Sequence, residues 1–420
     1  MFRTSEYLQR NELTRIQLDN VISSPANNNA QSKADYKFTV NDRSSFFDWY
    51  NAYFEVQFQV QKLADGTAFG ADRVSVINGA HSLIQHMTIK SGGKMVYDTD
   101  NLHKVVNLKN LIEYSDDFSR SVAKNSLWYL DTDYRIANAN QNGGFEARRL
   151  LTTGNNDVNV IIPLNRYSFF EELEDRMLPP MQLQFTLTLL SDANLIQKLA
   201  AVDDGRVVID RFYLWVPRLI PKDSLYQQFL SNYMKVNKWT YNQEMFQQSA
   251  GTRSSGFFQI SPSIDNVKHV FVYLQRNKDN NDELNPYEYD TFNINADRGN
   301  GSYLTTCRLE YGNGVFYPEV EYDSESKVRI FNDLMSYAMR KNDYNSGTQL
   351  NLSNFNSLFG VIYFDLTFQT EKVTRDPKQL VFRYKLNAQA AADSVFTVNA
   401  VVLFEQEVII NKVGNELLIV

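Results

Sequence analysis

The residues best able to hold a metal ion or activate a nucleophile are four histidines and one cysteine. His81 and His86 are five residues apart in a segment that predicts a strand, so their side chains point to opposite faces and cannot easily share a metal ion. His103 and His269 lie elsewhere in the sequence, and no cysteine or acidic cluster accompanies any of the four. The pattern favours histidines of the surface or the core over a zinc site.

The segment Ser91–Lys94, SGGK, superficially resembles a phosphate-binding loop. The spacing GxxxxGK[ST] is absent, and the segment joins two predicted strands instead of opening a helix. We therefore expect a tight hairpin turn here. The sequence contains no GxSxG motif, and it singles out no Ser-His-Asp set.

Neighbouring acidic residues recur in polar or helical settings, at Asp116–Asp117, Glu171–Glu172, Glu174–Asp175 and Asp203–Asp204. A glycosidase needs two carboxylates at a fixed spacing across a cleft, and adjacency in sequence does not provide that, so solvated faces are the better interpretation. The segment DNNDELN, Asp279–Asn285, has the composition of a calcium loop but lacks the central Gly and closing Glu of an EF-hand. We expect no catalytic residue, no metal and no cofactor.

Composition favours a soluble protein made inside the cell. The single cysteine, Cys307, cannot form a disulfide within the chain, which fits folding in a reducing compartment. The N-terminal sequence MFRTSEYLQRNELTR lacks the apolar core of a secretory signal, and no apolar run is long enough to span a membrane. A net charge of −7 argues against general nucleic-acid binding, which depends on neutralising phosphates.

Alternation of apolar and polar residues predicts strands over most of the chain. In Tyr53–Gln61, Phe or Val alternates with Glu or Gln, which is the period-two pattern of a half-buried strand. Apolar residues at helical spacing occur at Leu102–Phe118 and again at Val328–Arg340. We expect the polar stretch Asp131–Asp157 to be an extended surface loop.

The strand-rich pattern occurs twice. VNVIIPL, QLQFTLTLL and RVVIDRFYLWV in the first half correspond to VIYFDLTF, QLVFRYKL and SVFTVNAVVLF in the second, at an offset of roughly 200 residues. The residues themselves barely match, so the repeat is one of pattern. About eight strands in each half, with only two or three helices, predict an all-β sandwich or jelly roll instead of a parallel sheet.

The two halves meet near the midpoint of the chain, in VVIDRFYLWVPRLIPKDSLYQQFL. Pro217 and Pro221 have no backbone N–H, so we expect them to end the last strand of the first half. Apolar residues at helical spacing follow, and we expect them to seat a short helix where the halves meet: Leu225, Phe229 and Leu230.

These patterns predict four segments. Residues 1–35 are polar and are interpreted as a short helix plus a loose N-terminal arm. Residues 36–218 form the first β unit, residues 219–235 form a linker with the short helix, and residues 236–420 form the second β unit.

Four segments resemble a known family when they are taken in order. They are VINGAHSLIQHMTIKSGGKMV at Val76–Val96, LIEYSDDFSRSVAKNSLWYLDT at Leu111–Thr132, Asn285-Pro286-Tyr287, and FGVIYFDLTF at Phe359–Phe368. The ordered set is similar to the double jelly-roll major capsid proteins of Polinton (Maverick) elements and adintoviruses, relatives of virophage capsid proteins and adenovirus hexon. The resemblance covers about residues 36–410.

The resemblance implies two consecutive eight-stranded antiparallel jelly rolls, with a few short helices in loops and linker. It also implies a structural function, as a major capsid protein whose homotrimers form pseudo-hexameric capsomers of an icosahedral shell. The implied location is the virion, after synthesis in a host cell. Implied partners are further copies of the chain, neighbouring capsomers, penton proteins and minor capsid proteins, without sequence-specific nucleic-acid binding, a membrane span or enzymatic activity.

Two other classes remain open at this point. One is a jelly-roll carbohydrate-binding or attachment protein, for which we would expect a stalk or a repeat region, and none is visible in the sequence. The other, close to the first hypothesis, is a minor capsid protein. A cupin-type enzyme is less favoured, because such enzymes hold a metal with clustered His and Glu residues.

Overall fold

The structure is a computed structural model of the 420-residue chain. It describes residues 8–16, 20–21, 35–41, 45–133, 142–174, 178, 180–199, 201–221, 238–251, 255–276, 304–312, 314–315, 320–321, 327–341, 347–368, 376–386, 396–411 and 416–419.

The described part of the first half contains twelve strands: β1 (Leu8–Ile16), β2 (Asn20–Val21), β3 (Asp35–Val40), β4 (Phe46–Phe47), β5 (Tyr53–Lys62), β6 (Val74–Val76), β7 (Ile84–Ser91), β8 (Lys94–Thr99), β9 (Val158–Pro163), β10 (Leu183–Leu189), β11 (Ile196–Lys198) and β12 (Gly205–Pro221). The described part of the second half contains ten: β13 (Lys238–Ala250), β14 (Ser255–Ile264), β15 (Val267–Arg276), β16 (Leu304–Tyr311), β17 (Gly314–Val315), β18 (Val320–Glu321), β19 (Ile362–Asp365), β20 (Lys378–Leu386), β21 (Phe396–Asn411) and β22 (Glu416–Ile419).

Helices occupy the connections. The α-helices of the described residues are α1 (Leu102–Glu113), α2 (Asp116–Arg120), α3 (Gly143–Thr152), α4 (Ser168–Glu171), α5 (Asp192–Leu195), α6 (Lys327–Lys341) and α7 (Leu352–Ser357). Short 3-10 turns lie at Ala80–Leu83, Val122–Ser126, Thr153–Asn155 and Leu164–Arg166. The two helices predicted from apolar spacing are confirmed as α1 and α6.

Each half is a sandwich of two antiparallel sheets. The chain passes from one sheet to the other in the same order of strands in both halves. In the first half the sheet β1–β12–β5–β9 faces the sheet β3–β10–β7–β8, to whose outer edge β2 adds. In the second half the sheet β13–β21–β15–β19 faces the sheet β14–β20–β16–β17. The order of crossings matches for eight strands of each half, which is the double-sheet arrangement of a jelly roll, made twice. The predicted all-β fold and the predicted internal repeat are confirmed.

The alternation read from the sequence defines the inner faces. In β5 the buried positions alternate with half-buried ones, and Phe54 packs edge-on to Phe185 of the facing sheet, with ring centroids 6.1 Å apart. Phe364 of β19 contacts Phe382 of β20 across the second sandwich in the same way, at 6.2 Å. Rows of aromatic and β-branched side chains therefore fill both cores.

Neither apolar core is confined to its own half of the sequence. The first core contains residues from β13, β21 and β22 of the second half: Trp239, Tyr241, Val408, Ile410 and Leu417. The second core contains residues of the first half, chiefly from α1: Val105, Leu108, Leu111, Ile112, Tyr114, Ala123 and Trp128. The two rolls are thus interlocked by packing as well as by the chain connection.

The prediction of an arm with a short helix over residues 1–35 is wrong for Leu8–Ile16, which form β1 and pair antiparallel with β12. This is an edge strand, and backbone hydrogen bonds to a neighbour can hold such a strand without an apolar alternation in its sequence. The predicted loop Asp131–Asp157 is also wrong over Gly143–Thr152, which form α3.

The prediction that Pro217 ends the last strand of the first roll is wrong, because β12 continues through it to Pro221. The Pro217 carbonyl oxygen accepts a hydrogen bond from the Asp48 N–H at 3.0 Å. On this side of β12 the pairing with β5 stops at Trp215, two residues before Pro217. A strand residue directs its N–H and its C=O to the same side. The N–H that Pro217 lacks would therefore point beyond the end of the β12–β5 ladder, and no hydrogen bond of that ladder is lost. The strand therefore includes residues 219–221 of the predicted linker, and residues 222–235 lie outside the described residues.

Candidate functional site: the joint between the two rolls

The edge strand β8 of the first roll packs against β13 of the second roll. Tyr241 donates its hydroxyl hydrogen to the carbonyl oxygen of Val96 at 2.9 Å. The side-chain amide of Gln243 donates to Thr99 Oγ1 at 2.7 Å. Both side chains are buried, so these polar contacts are shielded from water and fix how β13 lies on β8. We call the region formed by β8, α1, the segment 164–171, β13 and α6 the inter-roll joint.

Glu244 of β13 is a fully buried carboxylate in the inter-roll joint. Its Oε2 accepts from the Tyr97 hydroxyl at 2.9 Å, and its Oε1 accepts from the Ser168 backbone N–H at 2.8 Å. The Lys109 side-chain nitrogen lies 3.6 Å from the same Oε1. A buried carboxylate is stable only when it is paired and hydrogen-bonded, and every partner of Glu244 named here comes from the first roll.

Lys109 of α1 is the positive counterpart of Glu244. Its ammonium group donates to Glu171 Oε2 at 3.0 Å, to Ser168 Oγ at 3.1 Å and to the Arg166 carbonyl oxygen at 3.2 Å. A lysine ammonium has three donors, and here all of them reach an acceptor. The side chain is only 3% exposed, so Lys109 holds α1, the segment 164–171 and β13 together from inside.

A second ion pair extends this network to α6. Arg166 donates to Glu113 Oε2 at 2.6 Å, and the Tyr337 hydroxyl of α6 donates to Glu113 Oε1 at 2.8 Å. Lys341, at the end of α6, donates to Glu171 Oε1 at 2.7 Å. The complete network contains three cations and three carboxylates, with charges that balance: Lys109, Arg166, Lys341, Glu113, Glu171 and Glu244.

Opposite charges keep Lys109 and Glu171 ionised in the network. Burial lowers the pKa of Lys109, but the carboxylates of Glu171 and Glu244 outweigh this effect and raise that pKa above its ordinary value. Burial raises the pKa of Glu171, but the positive charges of Lys109 and Lys341 outweigh it and hold that pKa well below its ordinary value. The prediction that Glu171 belongs to a solvated face is therefore wrong, because its carboxylate is paired with Lys109 and Lys341 in the joint and its side chain is only 22% exposed.

Gln349 anchors the C-terminal end of α1 to the second roll. Its side-chain amide donates to the carbonyl oxygens of Asn110 at 2.7 Å and Leu111 at 2.9 Å, near the C-terminus of α1. The indole N–H of Trp128 donates to Gln349 Oε1 at 2.9 Å. The Asn110 carbonyl oxygen also accepts from the Tyr114 N–H at 3.1 Å, so Gln349 adds a second donor there and supplies one to Leu111 in the last turn of the helix.

The C-terminal strand β22 makes a further contact back to the first roll. The backbone N–H of Leu417 donates to Ser91 Oγ at 3.0 Å, and Lys94 forms an ion pair with Glu416 at 3.2 Å. Both contacts fall on the hairpin between β7 and β8, whose turn residues Gly92 and Gly93 have φ of +56° and +86°. The hairpin predicted at Ser91–Lys94 is confirmed, and close approach of β22 is a second reason for glycine at its tip.

A cleft of about 880 Å³ opens beside the network. Its walls combine the ion-pair residues with exposed apolar side chains, among them Phe118, Val122 and Ile161. Glu113, Arg166, Glu171 and Lys341 all contribute to the lining, so the cleft is the place where solvent reaches the joint.

The residues predicted at the join of the two halves are only partly within the described chain. Pro217 is buried in β12, and Pro221 is its last residue. Leu225, Phe229 and Leu230 lie outside the described residues. The inter-roll joint is instead made by side chains that sequence reasoning missed, because nothing local distinguishes Lys109 or Glu244 from a solvated charge. The one available signal was Lys109, the single charged residue of the run VVNLKNLI.

Three of the four histidines contact a polar side chain, and His86 Nε2 lies 2.6 Å from Asp98 Oδ1. His81 Nδ1 lies 3.1 Å from Tyr167 Oη, and His269 Nδ1 lies 2.8 Å from Tyr363 Oη. His81 lies in a 3-10 turn, not in a strand as predicted. Within the described residues, no group of three or more His, Cys, Asp or Glu side chains could hold a metal ion. In the same part of the chain, no helix combines the length and apolar character needed to cross a membrane.

No protein-family model matches the chain, and no curated protein matches it in sequence. Among solved structures, a chain of the Sputnik virophage structure aligns with a TM-score of 0.62 and 10% identity, covering 97% of this chain and 88% of that chain. The mavirus major capsid protein aligns with a TM-score of 0.58 and 11% identity, covering 97% and 90%. The faustovirus major capsid protein gives 0.55 and 9%, covering 95% and 90%.

These alignments extend over almost the whole of each chain, so they include both rolls and their mutual arrangement. At such low identity they show a shared fold, and that fold is the double jelly roll. The predicted fold class is confirmed, and the neighbours come from the group of viruses that the sequence resemblance indicated.

Proposed function

We propose that this chain is a major capsid protein, and that three copies form a pseudo-hexameric capsomer of an icosahedral shell. The observation that carries the proposal is the inter-roll joint. It joins two equivalent rolls through two different surfaces: one edge of the first roll meets the opposite edge of the second. This is a heterologous contact, and each roll has both kinds of surface. The second roll therefore keeps its own copy of the surface that the first roll uses in the joint, and the first roll keeps its copy of the surface that the second roll uses.

The unused surfaces can be named from the strand order. The first roll contributes its edge strand β8 to the joint, and the second contributes its edge strand β13. By the matched order of crossings, β8 corresponds to β17 and β13 corresponds to β1. The edge at β17 in one copy can therefore meet the edge at β1 in the next. Heterologous contacts close into a ring when the rotation fits, and six rolls of three chains would close a sixfold ring.

Full-length likeness to the mavirus and faustovirus major capsid proteins supports this function, because both rolls and their arrangement are shared. The proposed role requires no chemistry, so we propose that the chain is not an enzyme. Its location is the virion, after synthesis in a host cell. Its partners are other copies of itself, neighbouring capsomers, penton proteins and minor capsid proteins, and the net charge of −7 leaves genome contact to another protein.

The mass and outline of the purified protein test this proposal. We expect a stable trimer of three times 48.6 kDa in light scattering, and a hexagonal outline in negative-stain images. An attachment protein would lack the hexagonal outline. A monodisperse monomer at all concentrations would overturn the capsomer proposal.

A further inference from the structure

His81 of the first roll lies between two elements of the inter-roll joint, α1 and the segment 164–171. It belongs to the 3-10 turn before β7, and the Asn107 side-chain amide of α1 donates to Ser82 Oγ of this turn at 2.7 Å. On the other side, His81 Nδ1 lies 3.1 Å from Tyr167 Oη. The side chain is buried, and among the described residues its Nε2 has no hydrogen-bond partner. A protonated imidazole donates through both nitrogens, so a charged His81 would leave a buried N–H without an acceptor.

His269 of the second roll lies beneath α6 in a similar setting. Its Nδ1 lies 2.8 Å from Tyr363 Oη, and its ring lies 5.0 Å from the ring of Tyr337 in α6. The Arg340 guanidinium of α6 donates to the same Tyr363 oxygen at 3.0 Å, so the hydroxyl hydrogen is directed to His269 Nδ1, which accepts it. A proton on Nδ1 would turn this acceptor into a donor, and two cations would then compete for one hydroxyl oxygen.

The charges that face His81 belong to the network of the joint. They are the ammonium of Lys109 in α1 and the guanidinium of Arg166 in the segment 164–171. Burial lowers the pKa of His81, and repulsion by these two cations adds to the effect, so that the pKa falls to about 3. The Tyr167 hydroxyl beside the ring stays neutral, because burial raises its pKa well above the ordinary value. Protonation of His81 therefore adds a third positive charge to two that are already there.

The charges that face His269 are mixed. Arg340 and Lys341 of α6 repel a proton on the ring, whereas Asp365 of β19 and Glu113 of α1 attract it. Asp365 lies 4.0 Å from His269 Nδ1, and Arg340 already holds its carboxylate at 2.6 Å. Burial is the largest effect, and the pKa of His269 falls to about 4. The two carboxylates thus do not offset the cost of a buried, charged ring.

We propose that the inter-roll joint is an acid-sensitive switch, in which protonation of His81 and His269 loosens the contact of β13 and α6 with α1 and the segment 164–171. The two histidines lie on the two sides of the joint, one in each roll. The network between them holds three cations and three carboxylates, so each added proton is an excess charge. Glu171 stays ionised in mild acid, because the cations around it hold its pKa well below the ordinary value. The switch lies within one chain, so it does not depend on the proposed assembly.

The size of the response follows from the two protonation equilibria. In an opened joint the imidazoles meet water and regain an ordinary pKa of about 6.5. The closed joint is therefore fully favoured above this pH and is disfavoured as the pH falls toward the lowered pKa values. At pH 5 the opening equilibrium should increase about thirtyfold for each histidine, and about a thousandfold for both together, relative to pH 7.5.

Hydrogen exchange of the full-length protein at pH 7.5 and pH 5, followed by mass spectrometry, tests the switch. After correction for the pH dependence of chemical exchange, the segment 164–171 should exchange about a thousandfold faster at pH 5. This segment contains the Ser168 N–H, which donates directly to Glu244 across the joint. The internal control is β20, a central strand of the other sheet of the second roll, which should keep its protection.

Substitution of the two histidines assigns the response. His81→Gln and His269→Gln should each reduce the acceleration to about thirtyfold, and the double variant should lose it. The matched control is His86→Gln. His86 also contacts a carboxylate, that of Asp98, but its side chain is 33% exposed, so it should leave the thousandfold response unchanged.

The wild-type measurement decides the matter if a glutamine variant fails to fold at pH 7.5. Acceleration in the segment 164–171 with protected β20 supports the switch. Equal acceleration in both regions would mean that acid unfolds the whole chain, and no acceleration in either would mean that the joint does not sense acid. Both results would overturn the proposal, as would an undiminished response in a folded double variant.

Discussion

The ammonium nitrogen of Lys109, in the first roll, lies 3.6 Å from the carboxylate Oε1 of Glu244, in the second, and the two side chains are 3% and 0% exposed. The pair is separated by 135 positions in the sequence, from 109 to 244. Desolvation of two such charges costs several kcal/mol, so the pair is stable only because further donors and acceptors complete it. It fixes the orientation of one roll on the other, which is the property that a closed ring of rolls requires.

Removing the cation should destabilise the protein strongly. Lys109→Met leaves the carboxylates of Glu244 and Glu171 buried without their shared partner, and we expect the free energy of unfolding to fall by about 3–5 kcal/mol. Chemical denaturation measures this change. The control is Lys62→Met, which breaks an ion pair with Asp203 on the surface and should leave the free energy of unfolding close to that of the wild type. Equal effects of the two substitutions would show that the network does not hold the joint.

Buried histidine should make the protein less stable in mild acid. Burial, together with the nearby charges of Arg166 and Lys109, lowers the pKa of His81 to about 3, whereas in the unfolded chain it is about 6.5. The folded state therefore binds fewer protons between these values, and stability is lost as the pH falls below 6.5. By pH 5 this one group should account for about 2 kcal/mol.

Two variants separate the titration of His81 from its packing. His81→Gln should flatten the fall in unfolding free energy between pH 7 and pH 5 by about 2 kcal/mol, measured by urea denaturation at each pH. Tyr167→Phe removes the hydroxyl next to His81 Nδ1 but keeps the titrating ring, so it should lower stability at all pH values and keep the slope. An unchanged slope in His81→Gln would contradict the assignment.

The strand β22 should respond to one glycine of the β7–β8 turn and not to its neighbour. A Cβ added at Gly92 would lie 2.8 Å from the Cβ of Glu416, whereas one added at Gly93 would meet nothing within 4 Å. Both glycines have positive φ, so substitution by alanine costs about 1–2 kcal/mol of backbone strain in either case. Only Gly92→Ala should also displace β22. We expect faster hydrogen exchange in residues 416–419 for Gly92→Ala than for Gly93→Ala, and equal rates would exclude the contact.

The parts of the fold that sequence could predict are those set by local periodicity. The alternation in β5 and the helical spacing in α1 each require one apolar face, and both elements are present as predicted. What α1 packs against could not be predicted, because an apolar face does not specify its partner. Its residues Val105 and Leu108 belong to the core of the other roll.

Long-range pairing explains the elements that were missed. The helix α3 is short and polar, and its fully buried Arg148 is held by the Asp131 carboxylate at 3.0 Å and by the Val76 carbonyl oxygen at 3.1 Å. An arginine in a polar segment normally indicates solvent, so only the folded arrangement shows that it is internal. The edge strand β1 was missed for a related reason, since its pairing with β12 depends on backbone groups that every residue possesses.

The interlocked cores predict that the first half of the chain cannot fold alone. A fragment of residues 1–221 lacks Trp239, Tyr241 and Leu417, which complete the first core, and it exposes the apolar face of α1. Each missing large side chain leaves a cavity whose cost is typically 2–5 kcal/mol, so three of them match the entire stability of an ordinary domain. We expect the fragment to aggregate or to lack the sharp amide dispersion of a folded protein in NMR spectra.

The same reasoning applies to the intact chain under heat. Because each core needs residues of the other roll, neither roll can unfold while the other stays native, and calorimetry should show one transition with equal calorimetric and van't Hoff enthalpies. Two independent β sandwiches joined only by a linker would give two transitions and a folded 1–221 fragment. Either result would mean that the contacts of α1 and β22 contribute little to the folding of the rolls. The angle between the rolls would then be set by assembly with other copies and not within one chain.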